Sequence, residues 1–166
     1  MRTIQSVLVF SCVAALAAQA FVQADGAKEP AKTELTQDEK AFFDLTNQAR
    51  TRAKLPALSL NPHLLRAARD HAANMAKKGE MNHLLDGHDA AQRVKGQGYD
   101  YEKVAENIAA YEKCTSADVF KGWMDSQHNK DNILNEEFKE VGIGIGKNDK
   151  GEVYYALVFA SARPKR

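Results

Sequence analysis

Cysteine is scarce in this chain, with 2 in 166 residues. Two cannot build a disulfide framework, so an apolar core has to supply the stability. Charge of one sign is also lacking. There are 23 Lys+Arg and 22 Asp+Glu, for a net charge of +1. A nucleic-acid binder would show a clear basic excess. Neither glycine nor proline is abundant, at 10 and 4 residues, which excludes a collagen-like chain. The hydrophobic share of 44% is too high for a mostly disordered chain, and the charged share of 27% too high for a polytopic membrane protein. What remains is a folded chain of about one domain.

One apolar run stands out, Val7 to Ala18, preceded by Arg2 and followed by Ala18-Gln19-Ala20 and Val22-Gln23-Ala24. A basic start, an apolar middle and small-x-small sites predict a secretory signal peptide over residues 1–24. The run is slightly short for a membrane span and no basic stop-transfer flank follows it. Cleavage after Ala24 removes Arg2 and Cys12, leaving balanced charge and a lone thiol at Cys114. The expected location is secreted or periplasmic, with no transmembrane anchor after cleavage.

Residues 25–35 are polar and read as a flexible lead-in. One domain is expected over 36–162, and Arg163-Pro164-Lys165-Arg166 as a basic tail. Thr36-x-x-Glu39 is a capping box opening a helix that Pro56 stops. Asn61-Pro62 opens a second helix, with the stripe Leu64, Leu65, Ala68, Ala72, Met75, Ala76 and a C-cap at Gly79. Asp89 to Lys95 is a short helix. Ser116 opens a fourth, with Val119, Phe120, Trp123 and Met124 on its inner face. Val141, Ile143 and Ile145 then alternate with glycines. After a turn at residues 148–151, Val153 to Phe159 completes a hairpin. Helices followed by a hairpin make an α+β domain.

These segments also resemble the CAP superfamily of cysteine-rich secretory, venom-allergen and pathogenesis-related proteins. The resemblance rests on Leu45-Thr46-Asn47-x-x-Arg50, Asn61-x-x-Leu64 with His71 and Met75, then His83. It continues through Arg93-Val94-x-x-x-Gly98-Tyr99, Glu106-Asn107-Ile108-Ala109, Gly122-Trp123-Met124-x-Ser126, Asn132-Ile133-Leu134, Phe138-x-Glu140-Val141-Gly142 and Tyr155-x-x-Val158-Phe159. The scarcity of cysteine is similar to the bacterial branch. The resemblance implies a three-layer α-β-α sandwich with a central antiparallel sheet flanked by helices, and adds a strand near residues 104–108.

It also implies a central cleft lined by two His and two Glu, which in some members holds a divalent metal. His83 matches the first His and Glu106 the first Glu. Ser126 stands where the second Glu falls. Asn129 stands where the second His is expected, with His128 one residue early. Along a helix one residue rotates a side chain by about 100°, so either residue could enter the cleft. The cleft set is therefore His83, Glu106, Ser126, His128 and Asn129. If His128 does enter, then His83, Glu106 and His128 would offer zinc three ligands and an open position. No His-Glu-x-x-His motif is present. His71, on an apolar stripe, reads as a satisfied core histidine, and His63 as solvated.

Three functions follow as expectations. The first is a non-enzymatic binding module for an extracellular lipid, glycan or protein. The second is a metal-assisted hydrolase of peptide or cell-wall bonds. The third is a structural envelope protein.

Overall fold

A computed structural model describes residues 34–164. The signal-peptide region, most of the lead-in and the last two residues of the basic tail lie outside the described residues. Helix α1 spans Gln37–Arg52. The Thr36 hydroxyl accepts from the Glu39 amide, and the Glu39 carboxylate accepts from the Thr36 amide. The helix ends earlier than Pro56 suggested. Ala53 caps it and Lys54 turns the chain with φ +62°.

The strand β1, Ser59–Leu60, leads into α2, Pro62–Lys78. Asn61 caps α2 by accepting from the His63 and Leu64 amides, and Gly79 closes it at φ +64°. That left-handed value is the one glycine adopts without a Cβ penalty. Helix α3, Ala90–Gly96, is opened by an Asp89–Gln92 capping box. Strand β2, Tyr101–Tyr111, is much longer than the short strand expected near residue 106. Helix α4, Ser116–Asp125, begins at Ser116 as expected and is capped by Thr115. Helix α5, Gln127–Ile133, follows directly and is not announced by any periodicity. Strands β3, Glu140–Lys147, and β4, Val153–Ala162, form the expected hairpin.

The strand order is β1-β3-β4-β2. Strand β4 is antiparallel to both neighbours, with Ile143 opposite Leu157 and Glu106 opposite Val158. Strand β1 pairs parallel with β3. The sheet is therefore mixed, where a purely antiparallel one was expected. Parallel strands need a long crossover, and the stretch from α2 to α5 supplies it.

The period-2 alternation of β4 divides the core into two layers. Tyr154, Ala156, Val158 and Ala160 face α2, Leu85 and Tyr99. Tyr155, Leu157 and Phe159 face Phe42 of α1, Trp123 of α4 and Ile133 of α5. The result is an α+β three-layer sandwich, with α2 and α3 on one side and α1, α4 and α5 on the other.

Candidate functional site

Neighbouring residues on a strand point to opposite faces. On β2, Glu106 therefore faces α2 and α3, while Asn107 faces α5. Both are buried. An isolated buried carboxylate would be costly, and this one is paired. Arg93 Nη2 donates to Glu106 Oε1 at 2.9 Å and to Oε2 at 2.8 Å. Arg93 Nη1 donates to the carbonyls of His83 at 3.0 Å and His88 at 2.6 Å. One guanidinium thus ties α3 to the buried strand and to the loop before it.

His83 Nδ1 lies 2.9 Å from Glu106 Oε1. A carboxylate only accepts, so Nδ1 carries the proton of this contact and Nε2 faces away from Glu106. The ring is 56% exposed, so that nitrogen belongs to the open side of the site. Met81 and Leu84, on the same loop, are exposed as well.

His71 approaches from α2, with Nε2 3.6 Å from Glu106 Oε1. It is buried as expected, but it is not satisfied. The Asn82 backbone lies close, yet neither ring nitrogen makes a hydrogen bond of normal geometry. Burial pushes its pKa down to about 4. The Glu106 charge opposes that shift, and Arg93 and His83 add to it. His63 is not simply solvated either, since its Nδ1 lies 2.6 Å from the Gln97 carbonyl.

The remaining expected cleft residues lie elsewhere. Ser126 and Asn129 are half-buried at the α4–α5 junction, and His128 is exposed on α5. Asn107 holds α5 in place. Its Nδ2 donates to the Asn129 carbonyl at 2.9 Å, and its Oδ1 accepts from Asn132 at 2.8 Å. Glu106 and the helix carrying His128 are thus on opposite faces of β2. The set His83, Glu106 and His128 is not assembled, because the strand lies between its members. Among the described residues no three His, Cys, Asp or Glu form a metal-holding group. The Glu106 carboxylate already accepts from Arg93 on both oxygens and from His83 on one, so a cation would have to displace a buried guanidinium. This donor set does not fit a divalent metal.

Two partners of Glu106, Arg93 and His71, were missed in the sequence. Arg93 carried a signal, since a carboxylate in the middle of an apolar strand requires a nearby cation. His71 carried only its apolar stripe. Cys114 is exposed and free.

The chain's likeness to known proteins agrees with this architecture. YkwD of Bacillus subtilis (strain 168) is 33% identical over 107 residues, which is 64% of this chain and 41% of YkwD. An extracellular protein of Bacillus anthracis str. Ames containing an SCP domain is similar in structure, with a TM-score of 0.65 and 27% identity. The match covers 76% of this chain and 44% of that one. The chain therefore spans less than half the length of both Bacillus proteins. An outer surface protein from Borrelia burgdorferi has the same fold, with a TM-score of 0.73 at 18% identity, covering 78% of this chain and 96% of that one. The model of the cysteine-rich secretory protein family matches residues 43–160, which run from α1 to β4 and include the Glu106 network. That span takes in all three layers of the sandwich, and the chain belongs to the CAP, or cysteine-rich secretory protein, family.

Proposed function

We propose that this CAP domain is exported and works by binding, with the loop at residues 80–89 docking an extracellular lipid, glycan or protein. The observation that supports it most is the state of Glu106. Its carboxylate is consumed by Arg93 and His83 as a structural clamp. The loop held by that clamp carries exposed Met81, His83 and Leu84. A catalytic site would keep its carboxylate available to a proton or a metal-bound water. Here it is spent on fixing the loop. The signal-peptide pattern supports export. Among the described residues no helix is long and apolar enough to cross a membrane.

Two measurements test the reading. Titration of Zn²⁺ into the domain lacking residues 1–24 is expected to give no one-to-one site of micromolar affinity. Such a site, lost in His83→Ala, would overturn the reading in favour of the hydrolase. The same protein is then applied to a glycan array, lipid vesicles and extracellular protein extracts. Binding to one class that falls at least tenfold in the double variant Met81→Ser/Leu84→Ser is the expected result. Binding that the double variant leaves unchanged would overturn the loop as the docking element.

A further inference from the structure

Between α2 and α3 lies a pocket of about 370 Å³, a volume typical of small-molecule sites. Asp70, His71 and Asn74 of α2 form one wall, Gln92 and Gln97 from α3 and its C-cap form the other, and Leu85 lies across the pocket. Leu85, Asp86 and His88 bring the 80–89 loop into its lining, whereas Glu106, His83 and the exposed Met81 and Leu84 are not among its walls. Two features set it apart from an ordinary surface depression. The first is His71 in its lining. This ring is fully buried, and neither nitrogen makes a hydrogen bond of normal geometry, with Nε2 3.6 Å from Glu106 Oε1 and the Asn82 backbone nearby. Arg93, which also lines the pocket, has a buried Nε in the same condition. Buried polar atoms without partners are rare in native cores, and each calls for a reason.

The second feature is the chemistry of the walls. They carry planar amides and carboxylates, arranged in preformed pairs. Gln97 Nε2 donates to Asp70 Oδ2 at 2.9 Å, and Asn74 Nδ2 donates to Asp86 Oδ2 at 2.8 Å. Such pairs can accept and donate to adjacent hydroxyls at once. The positive charge on the wall, Arg93, is already committed to Glu106 and to the His83 and His88 carbonyls. Lys78 beside the pocket is likewise paired with Asp86, so both cations are spent on carboxylates and phosphate gains little there. The apolar surface of Leu85 and Ala67 suits the C–H face of a ring.

We propose that the α2–α3 pocket is a binding site for a neutral polyhydroxylated ligand, a sugar ring either free or at the end of a glycan. This site does not rest on the docking role of the 80–89 loop.

The test is a titration of the domain lacking residues 1–24, followed by ¹H–¹⁵N correlation spectra. The probes are glucose, N-acetylglucosamine and its linear trimer, with inorganic phosphate as the anionic comparison. At least one sugar is expected to give saturable shifts at the amides of Asp70, Asn74, Leu85, Gln92 and Gln97. Affinity should fall at least tenfold in Asn74→Ala and in Gln97→Ala. Asn74 is not a cap, the α3 C-cap at Gln97 is made by its backbone N–H, which alanine keeps, and a dispersed spectrum verifies the fold of each variant. Tighter binding of the trimer than of the single ring would identify a glycan end, and equal binding a free sugar. The proposal is overturned if no sugar moves these amides. It is equally overturned if phosphate moves them more strongly, or if both alanine variants bind as the parent does.

Discussion

A single buried carboxylate, Glu106, gathers Arg93 from α3, His83 from the loop and His71 from α2. Its consequence is measurable in the titration of His71. Burial holds that imidazole at about 4, against an ordinary value of 6.5. Between those values the unfolded chain binds more protons than the folded one, so stability rises with pH there. The contribution is complete above pH 6.5 and is lost as pH falls towards 4. The gap is worth on the order of 3 kcal/mol. Urea unfolding at pH 7 and pH 5 is expected to show much of that loss, and His71→Asn should flatten it. An equal loss in parent and variant would sink this origin. The sequence made His71 legible as buried, because it lies on the stripe of α2. Its lack of partners was not legible, since that depends on where Glu106 and Asn82 arrive in three dimensions.

Among the elements, α2 is the one seated most closely. Gly142, Gly144 and Gly146 lie under its backbone. A Cβ at Gly144 would stand 2.2 Å from the Ala68 carbonyl carbon and oxygen, and one at Gly142 2.0 Å from that of Leu64. Leu64, Ala68 and Ala72 are spaced by four residues, so a single ridge of α2 runs along the glycine face of β3. Backbone atoms cannot swing aside as a side chain can. Gly144→Ala is therefore expected to lift the helix off the sheet and cost about 3 kcal/mol or more. Ala156→Gly on the neighbouring strand, which only deletes a methyl, should cost about 1 kcal/mol. Thermal unfolding of both variants checks the contrast, and equal costs would refute the close seating. The alternation of glycine with Val and Ile was readable as a strand. That the glycines serve as a bed for a helix was not readable, because nothing local states what covers each face. Helix α5 was missed for a related reason. Its seven residues bury only Ile133, and Asn107 on the opposite strand anchors it.

Across the whole molecule, one buried arginine joins parts distant in sequence. Arg50 Nε donates to the Pro56 carbonyl at 2.8 Å. Its Nη1 donates to the carbonyls of Ile133 at 2.9 Å and Asn135 at 2.8 Å, and its Nη2 to that of Phe138 at 3.3 Å. Among the described residues its partners are carbonyl oxygens, and burial lowers its pKa from the ordinary value. Asn47, one turn earlier, pairs with the backbone of Leu58 through both its amide nitrogen and its carbonyl oxygen. Together they fasten α1 to the chain entering β1 and to the chain entering β3. A lysine has the charge but not the fork. Arg50→Lys should leave two carbonyls unmet and cost about 3 kcal/mol, read as a lower urea midpoint. A cost below about 1 kcal/mol would show that water replaces the guanidinium. The sequence by itself determined the α+β class, the N-cap of α1, both caps of α2, the hairpin and the placing of His83 with Glu106 within one site. Those features follow from local spacing, capping chemistry and a family pattern carried in order. Only the tertiary structure decided that β1 runs parallel to β3, that Arg93 occupies Glu106, and that His128 lies across β2 from it. Each of these depends on which face of a strand meets which helix, and a one-dimensional pattern does not contain that choice.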